Sequence, residues 1–204
     1  LKDAKQAIKK AKKKGFDAKK LQALLSQSKG VTDDKIPSQE LLNSLLEHYQ
    51  NGRLSEAEKL AVSITQEFPK HQFAWKVLGT VLRTTGRNSE AADANQTAVA
   101  LSPQDAEAHS NLGVTLEELG RLEEALASYT QAIALKSDYA EAHCNLGSLL
   151  KDLGRLDEAL ASHNQAIALK PDFADAHSSL GVTLKELGRL EEAEASYRQA
   201  IKLK

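Results

Sequence analysis

NLGVTLEELGRLEEA, residues 111–125, returns as NLGSLLKDLGRLDEA at 145–159 and as SLGVTLKELGRLEEA at 179–193, a period of 34 residues. Recurrence at this spacing marks an architecture in which one small unit is copied and stacked, so the repeat decides the fold before any single residue does. Working outward, the stretches that start at Ala106 and Ala174 agree at 25 of 31 positions. Extending the period backward gives five units, 38–71, 72–105, 106–139, 140–173 and 174–204, after a segment 1–37 that does not share the register.

Each unit reads as two helices and a turn. In the fourth, Ala142, Leu146, Leu149, Leu150 and Leu153 form a stripe at helical spacing, and Gly154 supplies the left-handed residue that ends helix A. Asp157 and Glu158 then suit the positive end of a second helix dipole, and Ala159, Leu160, His163, Ala166 and Ile167 carry helix B on toward Pro171. Gly79, Gly113, Gly147 and Gly181 recur inside helix A, where glycine costs about 1 kcal/mol against Ala. Close approach of a neighbouring backbone is the expected compensation, with Ala57, Ala91, Ala125, Ala159 and Ala193 as the matching small surface on helix B. Aromatic residues make up only 4% of the chain and Met is absent, which agrees with an all-α fold packed through Ala and Leu.

These positions resemble the tetratricopeptide repeat (TPR). Trp75, Leu78, Gly79, Gly86, Ala91, Ala98 and Pro103 match its motif in the second unit. His109, Leu112, Gly113, Gly120, Ala125, Tyr129 and Ala132 match in the third, where Ser137 replaces proline. The first unit departs, with Ser44-Leu45 in place of Leu-Gly, so a different spacing of its two helices is expected. The resemblance implies a right-handed superhelical α-solenoid whose A helices line the concave side. Nothing covers the last helix B, so Tyr197, Ala200 and Ile201 are expected to stay partly unpacked. Either the polypeptide continues or a second copy docks there, and continuation is the favoured reading.

Residues 1–37 carry eleven Lys against four Asp, an excess of +7, while the remainder of the chain carries −8. Ala4, Ala7, Ile8 and Ala11 fall on one helical face, and Leu21, Leu24 and Leu25 on another after Gly15, so a basic capping hairpin or arm is expected. Nucleic acid is a poor fit because the segment has no Arg and only Phe16 as an aromatic. The single Cys144 excludes an internal disulfide framework and makes a reducing, cytoplasmic setting natural. No apolar run is long enough to span a membrane.

No phosphate-binding loop, dinucleotide fingerprint, nucleophile elbow or HExxH zinc motif occurs, so an enzyme within these residues is not expected. His109, His143 and His177 invite a metal, yet they hold equivalent places in successive units, on the order of 10 Å apart at ordinary helix spacing. No metal or other cofactor is expected, and the rings read as replacements for the family's large aromatic.

Where a scaffold repeats, the letters that change define the binding surface. On the expected concave side these are Leu42, Asn43, Leu46 and Tyr49; Lys76, Val77, Thr80 and Arg83; Ser110, Asn111, Val114 and Glu117; Cys144, Asn145, Ser148 and Lys151; and Ser178, Ser179, Val182 and Lys185. An amide both donates and accepts, so Asn43, Asn111 and Asn145 could hold the backbone of an extended peptide whatever its side chains. Lys76, Arg83 and Lys151 would select against basic ligands, and Glu117 and Glu118 against acidic ones. The row is similar to the asparagine ladder of O-linked N-acetylglucosamine transferases and Spindly-type proteins, which implies a substrate-recognition arm for a larger transferase; Val77 and Ser179 interrupt it. The basic clamp of chaperone-binding relatives is missing, since Glu107, Asn111, Glu141 and Asn145 stand at the corresponding places. The rival expectation is a scaffold joined end to end through its terminal helix.

Overall fold

The computed structural model describes residues 36–204, and the helices expected before Val31 lie outside these residues. Among the described residues, ten helices follow one another with no strand between them. They are α1 (Gln39–Gln50), α2 (Leu54–Glu67), α3 (Gln72–Thr84), α4 (Asn88–Leu101) and α5 (Ala106–Glu118). α6 (Leu122–Leu135), α7 (Ala140–Asp152), α8 (Leu156–Leu169), α9 (Ala174–Glu186) and α10 (Leu190–Lys202) complete the series. Odd-numbered helices are the A helices and even-numbered ones the B helices of an α-solenoid.

The constant letters explain the turn. Gly154 has φ 74°, and the Arg155 N–H reaches back to the Leu150 carbonyl at 2.8 Å, closing the end of α7. Arg155 then forks onto Glu158 with two bonds of 2.7 Å, which offsets a cation at the wrong end of a helix dipole. Arg121 with Glu124 and Arg189 with Glu192 repeat the fork. GRL-x-E is therefore one device, a left-handed stop followed by a charge-paired start.

Packing inside a unit corrects the expectation for the mid-helix glycines. They admit a side chain from helix B, not a neighbouring backbone. A Cβ on Gly147 would lie 2.5 Å from His163 Cδ2, and one on Gly113 would lie 2.6 Å from Tyr129 Cε1; Asn95 faces Gly79 and Tyr197 faces Gly181 in the same way. The first unit inverts this fit. Leu45 takes the glycine's place and Ala61 that of the ring, and both are fully buried. Bulk has moved from one helix to the other.

Each seam between units is built by one row of helix A. Ala108, Leu112, Thr115 and Leu116 are buried on α5, as are Ala176, Leu180, Thr183 and Leu184 on α9, where Leu160 and Ile167 of α8 meet them. Leu149 of α7 likewise joins the cluster of Leu112, Leu116 and Tyr129. Successive A helices also touch one another, and successive B helices among those described do not. That asymmetry places the A helices on the inner, concave side.

The first and last described helices differ from those at the seams. Where other A helices bring Ala, Leu and Val or Thr to the preceding unit, α1 has Glu40, Ser44, Glu47 and His48. Where α8 offers Leu160, α10 has Glu194, bonded to Arg198 at 2.6 Å. Ala200 is buried, contrary to the expectation for it, while Tyr197 is half-buried and Ile201 is 75% exposed.

Candidate functional site

The concave face is a row of parallel A helices, and the candidate residues fall into three groups. Asn111, Asn145 and Ser179 occupy the same place on α5, α7 and α9, and all three are half-buried. The Asn111 and Asn145 amides make no hydrogen bond to another described residue. Asn43 on α1 is exposed, and its carbonyl accepts from Gln39 at 2.9 Å. Tyr49 is half-buried among the apolar residues of the first two units, and Lys185 is exposed.

The cations form a second group, and three of them already have partners. Lys76 bonds to Asp105 at 3.1 Å and to Glu107 in the next unit. Burial works against its charge, but these two carboxylates outweigh it and hold the ammonium pKa above the ordinary lysine value. Asp105 also accepts from Gln72 and caps α5 through the Glu107 and Ala108 N–H groups, so its pKa is lowered despite partial burial. Arg83 crosses to Glu118 of the next unit at 2.9 Å, and Lys151 pairs with Asp152. Lys76 and Arg83 thus join successive units, while Lys151 pairs within its own helix.

Glu117 stands apart. One of its oxygens accepts the Tyr129 hydroxyl at 2.8 Å, and no cation lies within ion-pair distance among the described residues. Burial raises its pKa above the usual carboxylate range, and the Asp152 and Glu118 charges add to that, while the Tyr129 hydroxyl and the Lys151 charge oppose it. The sequence hid this contact because Tyr129 carries the repeat's ring position. Its only signal was that Asn95, Tyr129, His163 and Tyr197, all polar-tipped, take turns at one buried site.

Other expected groove residues belong elsewhere. Val77, Ser110 and Cys144 are buried, with Cys144 packed against Ala166 and Ala176 at the α8–α9 seam. Burial pushes its thiol up to about 11, which removes it as a nucleophile. The histidine row clasps loops: His109, His143 and His177 place Nε2 2.9–3.0 Å from the carbonyls of Pro103, Ser137 and Pro171. A carbonyl only accepts, so Nε2 carries the proton, as the indole nitrogen does in the Trp75–Pro69 contact at 2.9 Å. The bond uses the carbonyl alone, which is why Ser137 can replace proline.

With that geometry established, residues 79–120, 116–153 and 147–188 each match a family model described as TPR repeat, and residues 174–204 match one described as tetratricopeptide repeat. The chain belongs to the tetratricopeptide repeat family. Solved structures agree in fold. A crystal structure of MamA is 24% identical with a TM-score of 0.67, over 77% of this chain and 92% of that one. MamA from residue 41 to its end, of Desulfovibrio magneticus RS-1, is 18% identical with a TM-score of 0.69, over 80% and 92%. YrrB, described as a TPR protein with an unusual peptide-binding site, is 23% identical with a TM-score of 0.64, over 87% and 92%. No curated protein matches the chain. The TPR assignment makes this an interaction module. No helix among its described residues is long and apolar enough to cross a membrane.

Proposed function

We propose that this TPR chain binds an extended protein segment along its concave face and holds the segment by its backbone. The observation that carries the reading is the pair of half-buried amides, Asn111 and Asn145, which have open hydrogen-bonding capacity on adjacent A helices while the cations beside them are paired internally. Amides fixed on rigid helices suit a peptide backbone, which alternates donors and acceptors. The five units 38–71, 72–105, 106–139, 140–173 and 174–204 act as one such surface, in a cytoplasmic setting that suits a lone buried thiol.

The test is retention of peptides from an immobilised library by the parent and by Asn111→Ala, Asn145→Ala. Two lost hydrogen bonds at about 1 kcal/mol each should weaken binding about 30-fold while helix content is unchanged. Equal binding by the variant overturns the backbone reading. The finer reading, an arm that delivers protein substrates to a transferase, rests on the likeness of Asn43, Asn111 and Asn145 to an asparagine ladder. It is tested on the natural polypeptide: transfer of a sugar or sulfuryl group to a protein retained by the groove supports it, and absence of such activity overturns it.

A further inference from the structure

Glu117 is a half-buried carboxylate of the groove with no ion-pair partner among the described residues. Glu118 is used by Arg83, Asp152 by Lys151, and Asp105 with Glu107 by Lys76, whereas Glu117, half-buried on α5, has only the Tyr129 hydroxyl on one oxygen. A carboxylate withdrawn from water without a cation is unfavourable, and a cation brought by a ligand relieves that cost. Lys151 lowers that cost from beyond ion-pair distance but is itself bonded to Asp152, and Arg83 is bonded to Glu118.

We propose that Glu117 is the specificity residue of the groove and takes a Lys or Arg side chain from the bound segment, an inference that rests on the concave-face reading given above. Asn111 lies six residues before Glu117 on the same helix, about 9 Å along its axis at the ordinary helical rise. A long basic side chain leaving a backbone held at Asn111 covers that span. Tyr129 orients the carboxylate by holding one oxygen at 2.8 Å and leaves the second free to accept. The charged and titratable groups around the site are Tyr129 from α6, Glu118 on the same helix, Lys151 and Asp152 from α7, and Arg83 from α3. Glu117 thus differs in role from Glu118: one is kept for the ligand and the other is consumed by the scaffold.

The experiment is selection of a random peptide library on the full chain, on Glu117→Gln, and on Asn111→Ala, Asn145→Ala. Gln retains an acceptor for the Tyr129 hydroxyl, so it removes charge without removing the packing contact. Peptides selected by the parent should be enriched in Lys or Arg at one fixed place, and the Gln variant should select peptides without that enrichment. A peptide chosen on the parent should bind the Gln variant about 10-fold more weakly, the usual scale of one charge-assisted bond. Its affinity for the parent should fall as pH is lowered from above the ordinary carboxylate range, because protonated Glu117 carries no charge, and should stay level in the Gln variant. Absence of basic enrichment on the parent, or enrichment that survives in Glu117→Gln, overturns the assignment. The two readings separate cleanly. If the double Asn variant keeps the parent's peptides while Glu117→Gln loses the basic ones, the backbone reading fails and the Glu117 assignment stands. If no protein retains a peptide, both fall.

Discussion

Gly147 and Gly154 lie seven residues apart and fail for different reasons when replaced. Gly147 has no space, since a Cβ there meets His163 at 2.5 Å; Gly154 has open space but a φ of 74° that L side chains resist. Gly147→Ala should cost about 1–2 kcal/mol after the helix-propensity gain is counted, and trimming His163→Ala should remove the clash. Gly154→Ala should cost about 1–2 kcal/mol by strain alone, unaffected by His163. Urea unfolding of Gly147→Ala and Gly154→Ala, each with and without His163→Ala, and of His163→Ala alone separates the cases, and equal sensitivity of both glycines to His163 would contradict the account. His163 is itself a stability sensor. It is fully buried, its Nδ1 lies 3.2 Å from the Thr183 hydroxyl, and its Nε2 has no hydrogen-bond partner. Burial lowers its pKa from 6.5 to about 4, helped slightly by Lys151 and opposed by the Cys144 carbonyl. Above pH 6.5 the ring is neutral folded and unfolded, and it contributes nothing to pH dependence. Below 6.5 the unfolded chain takes a proton that the folded chain refuses, so stability falls until about pH 4, by about 3 kcal/mol in all. Relative to the parent, His163→Tyr, the residue already used at positions 129 and 197, should flatten that window in denaturant titrations at pH 4–7; an unchanged slope would exclude His163 as the cause.

At the scale of the helices, the first unit shows what the repeat demands and what it leaves free. The demand is one large and one small partner across each A–B pair, and which helix supplies which is open. Leu45→Gly alone should cost about 3–5 kcal/mol through a cavity and a mid-helix glycine. Adding Ala61→Tyr, which restores the arrangement of Gly113 and Tyr129, should recover part of that loss, whereas Ala61→Tyr alone should overpack. A double-mutant cycle in urea measures the coupling, and additive costs would mean that Leu45 and Ala61 do not compensate each other. Much of this level was legible from the sequence, because helix boundaries follow Gly154 and Pro171, and of the stripe Ala142, Leu146, Leu149, Leu150 and Leu153 the members Ala142, Leu149 and Leu150 are buried while Leu146 and Leu153 are half-buried. The glycine's partner was not legible. Periodicity says which face a residue occupies, but it does not say whether the void beside a glycine holds a backbone or a ring from sixteen residues on. The same limit explains Val77, Ser110 and Cys144, which share the concave helices yet are buried, Cys144 in the α8–α9 seam. For the groove, residue identity proposes Asn111 and Asn145, but a charge letter does not reveal whether it is paired, as with Lys76, or lacks an ion-pair partner, as with Glu117.

For the molecule as a whole, the end faces decide between a binding block and an element that polymerises. Stacking two copies head to tail would lay α1 against α10, placing Glu47 over Tyr197 and Glu194 near Ser44 and His48, where internal seams set Thr183 against His163 and Leu160 against Leu180 and Leu184. Glu47 and Glu194, paired at the surface with Arg53 and Arg198, would be drawn out of water together with those partners, a desolvation cost that the exposed Leu190 and Ile201 offset poorly. The parent should therefore sediment as a monomer from about 1 to about 100 µM, below the association expected of a seam-sized apolar interface. Glu194→Leu, Arg198→Asn rebuilds on α10 the surface that α8 uses against α9, and should produce a dimer. Because α1 stays polar in that variant, the dimer should be symmetric through α10, a closed contact that cannot grow into a filament. Parent association that disappears when Tyr197 and Ile201 are made polar would instead restore the end-to-end scaffold. A monomeric parent with a dimeric variant would support the proposal that partners are chosen on the concave face, where the A helices carry Asn111, Asn145 and Glu117.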